Sequence, residues 1–150
     1  AIAAPADRKS LRMNILYVCT GNSCRSQMAE GWTRHLGGER VAVRSAGLEA
    51  HGLNPNAVAA MQAAGVDISA QPSSILADAD IDWADIVVTV CGHADEHCPL
   101  LPAGTRKLHW AFDDPARAEG SPEQIAHVFA TTRDAIRERV AALLAELPTD

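Results

Sequence analysis

A cysteine and an arginine six positions apart form the part of this sequence best suited to chemistry. Cys19 ends a short apolar run, and Arg25 follows a stretch of small and polar residues. If a strand precedes this stretch and a helix follows it, successive backbone N–H groups and the positive end of the helix dipole face one point, which suits a tetrahedral oxyanion. The same groups favour a thiolate. The sequence therefore predicts a nucleophilic cysteine in an oxyanion-binding loop formed by Thr20, Gly21, Asn22, Ser23, Cys24, Arg25 and Ser26.

Individual residues of this loop have distinct expected roles. The planar guanidinium of Arg25 can bind two oxygens of the anion, which lysine cannot do as well. Gly21 is expected to permit the backbone to turn with a positive φ, and Asn22 to tie the loop to itself through its side chain and to tolerate the left-handed region. Ser26 is expected to hydrogen-bond the Cys19 sulfur. The alternative, a buried cysteine beside a surface arginine, explains less of the strand-loop-helix pattern.

A second pair of cysteines, Cys91 and Cys98, is separated by seven positions. A helix would separate their Cα atoms by about 10.5 Å, whereas a disulfide needs about 5.5–6 Å. Oxidation of the pair must therefore unwind the segment between them and expose the disulfide to a reductant. With His93 and His97 the cysteines offer a zinc alternative, but zinc sites usually have tighter cysteine spacing, so we predict no metal.

The elements that must position these residues alternate between strands and helices. β-branched and apolar runs predict four strands, at 12–18, Val41–Arg44, Asp85–Val90 and Arg106–Trp110. Helices are predicted from Ser23 to the Gly37-Gly38 stop, from Asn54-Pro55 to Gly65, and over the terminal segment that opens with the capping box Ser121–Gln124. This alternation implies an open parallel sheet with helices on both faces, and ligands bind beyond the carboxyl ends of such strands.

Two segments complete this outline. The terminal helix is expected to bury an apolar stripe made of Ile125, Val128, Phe129, Ile136, Val140 and Leu144. The stretch 71–80 lacks a clear pattern and is expected to form a looser flap.

Composition limits the classes of protein to which the chain can belong. Its 150 residues, 47% of them hydrophobic, predict one domain over 13–150, with residues 1–12 an N-terminal arm that is either native or left over from expression. The net charge of −6 argues against nucleic acid or an anionic membrane as partner. No run reaches the ~20 apolar residues of a membrane span. We expect a cytoplasmic protein, in which an even count of four cysteines indicates catalysis or metal binding, and their placement in the sequence must decide between the two.

Five motifs carry a family resemblance. They are C-T-G-N-S-C-R-S-Q-M-A-E-G-W from Cys19, S-A-G from Ser45, H-G-x-N-P from His51, V-C-x6-C-P from Val90, and H-W-x-F-D-D-P from His109. Together they resemble the thioredoxin-coupled arsenate reductases, which share the fold of low-molecular-weight protein tyrosine phosphatases. The resemblance runs from Met13 into the terminal helix. It implies a four-stranded parallel sheet in the flavodoxin-like order 2-1-3-4.

This resemblance also implies a mechanism and its partners. Cys19 would attack arsenate while Asp114 protonates the departing oxygen; the neighbouring Asp113 is the less favoured acid. Cys91 would then attack the sulfur of Cys19, and Cys98 would attack Cys91, leaving a disulfide between the last two. Reduced thioredoxin is the implied electron donor, no cofactor stays bound, and the protein is expected to be a monomer.

Two other functions are compatible with parts of the sequence. A low-molecular-weight protein tyrosine phosphatase would use the same loop, and only the Cys91–Cys98 pair and Ala116 after the D-D-P motif argue against it. A thiol or metal sensor would use that pair alone. Some relatives hold a monovalent cation near the loop, and Asn22, Glu30 and Ser45 match its ligands. Ser74, however, stands where those relatives have aspartate, which argues against a cation effect and leaves cation dependence open.

Overall fold

The computed structural model describes residues 12–148. The expectation for the N-terminal arm therefore lies outside the described residues, apart from Arg12. The strands are β1 (Met13–Cys19), β2 (Val41–Gly47), β3 (Ile86–Thr89) and β4 (Arg106–His109). The α-helices are α1 (Arg25–Gly37), α2 (Pro55–Ala63), α3 (Asp78–Trp83), α4 (Gly92–Glu96) and α5 (Pro122–Glu146), and short 3-10 turns cover Gly38–Arg40 and Pro115–Arg117.

The sheet confirms the predicted class and order. Its four strands are parallel and are arranged β2-β1-β3-β4. The register places Cys19 opposite Gly47 and Val18 opposite Thr89. Strand β2 extends to Gly47 rather than ending at Arg44, because the pairing with β1 continues to the last residue of both strands. Cys19 ends β1, and Cys91 follows the end of β3 by two residues. The two cysteines therefore lie at the same edge of the sheet.

Helices cover both faces of the sheet. The buried Tyr17 hydroxyl lies 2.6 Å from Thr33 Oγ1 on α1, whereas Asn14 donates from Nδ2 to the carbonyl of Trp83 at the end of α3, 2.9 Å away. Since these two residues of β1 are an odd number of positions apart, their side chains point to opposite faces. On the Tyr17 side, α1 packs against α5, where Trp32 Nε1 donates to the Arg133 carbonyl at 3.1 Å.

The predicted helix signals are confirmed in detail. Asn54 accepts hydrogen bonds at the N-terminus of α2, and Ser121 and Gln124 form the reciprocal capping box of α5. Gly38 and Gly65 have positive φ values of 56° and 85° after the helices that they end. No helix within residues 12–148 combines the length and apolar character that crossing a membrane requires.

One expectation for the terminal helix is wrong, and the looser stretch is anchored to the sheet at one point. Val128 is 37% exposed although it belongs to the predicted apolar stripe, because the helix face that it occupies is not covered by another element. The predicted flap is tied to β2: Gly47 donates to the Ser74 carbonyl and Leu76 donates to the Gly47 carbonyl, both at 2.8 Å. The stretch ends inside α3. This helix was not predicted, because its acidic residues break any apolar pattern.

Candidate active site

The Cys19 sulfur lies at the centre of a closed strand-loop-helix turn. Ser26 Oγ is 2.8 Å from Cys19 Sγ, and the backbone N–H of Asn22 donates to the same sulfur at 3.2 Å. Cys19 is only 3% exposed. The expected Ser26 contact is therefore present, and the sulfur sits among the donors that a thiolate requires.

The backbone turn of the loop is made by Asn22 rather than Gly21. Asn22 has φ 48°, the one positive φ among the non-glycine residues described. Gly21 does not have a positive φ, so that expectation is wrong. Its missing side chain instead makes room for His51, since an added Cβ would collide with Nδ1 of that ring. The backbone N–H of His51 also donates to the Gly21 carbonyl at 2.9 Å.

The Asn22 side chain fixes this strained turn from three directions. Its Nδ2 donates to Ser26 Oγ and to Ser45 Oγ, each at 2.9 Å. Its Oδ1 accepts from the backbone N–H of Ser74 at 2.7 Å. The loop is thereby tied to α1, β2 and the segment before α3, as its predicted role requires, and a preorganised loop spends no binding energy on ordering itself.

Gly47 allows β2 to approach the back of the loop. A Cβ at this position would lie 2.7 Å from the backbone nitrogen of Asn22 and 2.8 Å from the carbonyl oxygen of Thr20. Both are backbone atoms, so they cannot move aside without distorting the loop. We did not predict this role. The S-A-G motif, which ends at Gly47, is the sequence feature that could have indicated it.

Arg25 and Asp114 meet beside the loop, a contact that the sequence analysis did not predict. Arg25 is the first residue of α1; its Nη1 donates to the Phe112 carbonyl at 3.0 Å, and its Nη2 lies 3.7 Å from Asp114 Oδ2. Asp114 also accepts from the Ala116 backbone N–H at 3.0 Å, which holds its carboxylate at the start of a 3-10 turn. Asp113 is exposed. Of the two adjacent aspartates, Asp114 is therefore the one whose carboxylate is held beside Arg25.

The second cysteine pair brackets the short helix α4. Cys91 is buried and caps this helix, since its sulfur accepts from the Ala94 N–H at 3.4 Å. Cys91 Sγ also lies 3.2 Å from Thr20 Oγ1, a contact that we did not predict. Cys98 follows the helix and is half-buried, and burial raises the pKa of its thiol. All four cysteines are free thiols.

Cys24 differs from the other cysteines of the site. It is buried at the start of α1, and burial raises the pKa of its thiol to about 11. The side chain is therefore a neutral thiol at physiological pH and a weak nucleophile. Cys24 can therefore serve the predicted oxyanion loop through its backbone N–H, but its side chain does not supply a thiolate.

The residues matching the relatives' cation site are hydrogen-bonded to one another and to Arg34. The Glu30 carboxylate already accepts from Ser45 Oγ and pairs with Arg34 Nη2, both at 2.6 Å. The backbone N–H of Ser74 donates a hydrogen bond to Asn22 Oδ1. Among residues 12–148, no three His, Cys, Asp or Glu side chains are grouped to hold a metal ion.

Fold and site together define a parallel α/β protein with a cysteine oxyanion loop at the carboxyl edge of its sheet. Comparison with known families agrees: the chain belongs to the low molecular weight phosphotyrosine protein phosphatase family, whose profile matches residues 14–150. An arsenate reductase from Bacillus licheniformis is 52% identical over 129 residues, which cover 86% of this chain and 93% of the relative.

Solved structures agree with this assignment. An arsenate reductase in a phosphate-binding state superposes with a TM-score of 0.75 and 36% identity, over 91% of this chain and 99% of that one. A thioredoxin-dependent arsenate reductase from Corynebacterium glutamicum gives a TM-score of 0.69 and 30% identity, over 95% of this chain and 67% of that one.

Proposed function

We propose that this protein reduces arsenate to arsenite by a relay through Cys19, Cys91 and Cys98. The observation that carries the proposal is the contact between Thr20 Oγ1 and Cys91 Sγ at 3.2 Å, because Thr20 directly follows Cys19 in the loop. A second thiol beside the oxyanion loop is what a reductase needs and a phosphatase does not. Relatives such as the Bacillus licheniformis arsenate reductase support the same substrate.

The first step forms a bond between Cys19 and arsenic. The Cys19 thiolate attacks arsenate while loop N–H groups and Arg25 bind the remaining oxygens. Asp114, held near Arg25, donates a proton to the departing oxygen, which leaves as water. Arsenic remains As(V) in the resulting thioester-like adduct.

The following steps transfer two electrons. The Cys91 thiolate attacks the sulfur of Cys19, the sulfur–arsenic bond breaks with its electron pair on arsenic, and arsenite leaves as As(III). Cys98 then attacks Cys91, which releases Cys19 as a thiolate and leaves the Cys91–Cys98 disulfide. Both electrons therefore come from the Cys91 and Cys98 thiols.

We assign the return of these electrons to reduced thioredoxin in the cytoplasm, where cysteines stay reduced between cycles. The thioredoxin dependence of the Corynebacterium glutamicum relative supports this donor. No bound cofactor is needed, because protein thiols supply both electrons, and a monomer is sufficient since one chain carries all three cysteines.

Arsenate-dependent NADPH oxidation with thioredoxin and thioredoxin reductase tests this function. The wild type should oxidise one NADPH for each arsenite formed, and Cys19→Ser should oxidise none. Arsenite must be measured separately, so that NADPH loss without arsenite is recognised as background. No arsenite from the wild type with thioredoxin, glutaredoxin or mycothiol systems would refute the proposal. Turnover of aryl phosphate that survives Cys91→Ser would then favour a phosphatase.

Asp114→Asn tests the assignment of the acid. Loss of a general acid typically costs 10²–10⁴-fold, so we expect kcat to fall by about 10²-fold. Asp113→Asn is the matched control, since it removes the same charge from the adjacent exposed residue, and its kcat should stay within about twofold of the wild type. Steady-state kinetics on both variants decide the matter, and a larger loss in Asp113→Asn would reverse the assignment.

A further inference from the structure

The helix between the two relay cysteines carries a carboxylate that is bound to two strands of the sheet. Asp95 Oδ1 lies 2.8 Å from Lys107 Nζ on β4 and accepts from Thr89 Oγ1 on β3 at 3.2 Å. His109 Nδ1 lies 2.8 Å from the same threonine hydroxyl. We call Asp95, Thr89 and Lys107 the Asp95 clasp. The steps proposed for the three cysteines assign no role to these side chains.

The clasp acts on the segment that must rearrange during the relay. Asp95 lies in α4, between Cys91, which caps the helix, and Cys98, whose backbone N–H donates to the Asp95 carbonyl at 3.4 Å. Seven residues at helical rise span about 10.5 Å, whereas a disulfide requires about 5.5–6 Å between Cα atoms. In the structure α4 covers Gly92–Glu96 of this segment, so closing the disulfide has to rearrange the segment that carries Asp95, and the contacts of Asp95 with Thr89 and Lys107 oppose that rearrangement.

We propose that Asp95 is a positioning residue whose clasp to Thr89 and Lys107 holds α4 in its helical, dithiol form and opposes formation of the Cys91–Cys98 disulfide. The proposal rests on the relay described above and concerns its last internal step. In that step the Cys98 thiolate attacks Cys91 of the Cys19–Cys91 disulfide, the Cys91–Cys98 bond forms, and Cys19 leaves as a thiolate; Cys98 is oxidised and Cys19 is reduced, arsenite having left in the step before. The clasp opens as the new sulfur–sulfur bond forms.

The charges of the clasp are consistent with this role. The hydrogen bond with Lys107 lowers the pKa of Asp95, and the same bond raises the pKa of Lys107, so both groups stay charged at neutral pH. Lys107 also favours the thiolate of Cys98, against the larger effect of burial. The Lys107 ammonium thus pairs with the clasp carboxylate and also acts electrostatically on the half-buried Cys98 thiol.

A redox titration of the full-length protein tests the clasp without arsenate. The protein is equilibrated with reduced and oxidised glutathione, quenched with acid, and mapped for the Cys91–Cys98 disulfide by mass spectrometry. Asp95→Asn should raise the equilibrium constant for the disulfide by about three- to tenfold, since a charged hydrogen bond that opposes it is lost. For a two-electron couple this makes the potential about 14 to 30 mV more negative.

Glu96→Gln is the matched control, because it removes the same charge from the next, exposed residue of α4. Lys107→Gln opens the clasp from the other strand, and its effect should not add to that of Asp95→Asn in the double variant. Equal potentials for wild type, Asp95→Asn and Glu96→Gln would overturn the clasp while leaving the relay intact. Failure of the wild type to form this disulfide at all would instead overturn the relay, and the clasp with it.

Discussion

Replacing Cys98 by serine is expected to stop arsenate reduction after a single turnover. Cys19 and Cys91 remain, so one arsenite per enzyme should still be released and the two should be left as a disulfide. Nothing then frees Cys19, and the steady-state rate should fall by on the order of 10³-fold or more, as it does when one member of a catalytic unit is removed. The burst of arsenite and a peptide map of the quenched enzyme measure both results.

Cys91→Ser is the informative companion of this variant. Cys91 is the thiol that lies beside Thr20, so its loss should prevent even the single turnover, since nothing attacks the Cys19 adduct. A Cys19–Cys24 disulfide in Cys98→Ser would contradict the proposed order. That outcome is not expected, because burial keeps Cys24 a neutral thiol by raising its pKa to about 11. Sustained turnover of Cys98→Ser would remove Cys98 from the relay.

The fold was predictable because its signals are local. Buried parallel strands give continuous apolar runs, and the caps at Asn54 and Ser121 depend on residues within one helical turn. The nucleophile loop was predictable for the same reason, since Cys19 and Arg25 lie in one short segment. Asp114 is 89 positions from Arg25, and its role was assigned only through the family resemblance; the ion pair between the two side chains places Asp114 beside the loop.

What could not be predicted depends on contacts between distant segments. The Thr20–Cys91 contact joins the ends of two strands, and the Asp95 clasp joins a short helix to β3 and β4. Helical or strand periodicity in the sequence does not indicate such pairs, because each partner taken alone is an ordinary polar residue. Gly21 shows the same limit. The sequence correctly indicated that this position requires glycine, but the reason is the close approach of the His51 ring rather than a positive φ.

Arg25→Lys should cause a large loss even though it keeps the positive charge. Arg25 binds the Phe112 carbonyl with one guanidinium nitrogen and faces Asp114 with another, and this orients the group toward the loop. An ammonium cannot make both contacts and also bind two oxygens of the anion. Because these oxygens carry charge in the transition state, kcat/KM for arsenate should fall by on the order of 10³-fold.

Arg106→Lys is the control for Arg25→Lys, since Arg106 makes an exposed ion pair with Glu146, remote in sequence from the loop. Its kcat/KM should stay within about twofold of the wild type, as expected for a surface pair. Thermal unfolding of both variants separates lost catalysis from lost folding. If Arg25→Lys unfolds like the wild type but retains most of its activity, simple charge rather than bidentate binding holds the anion.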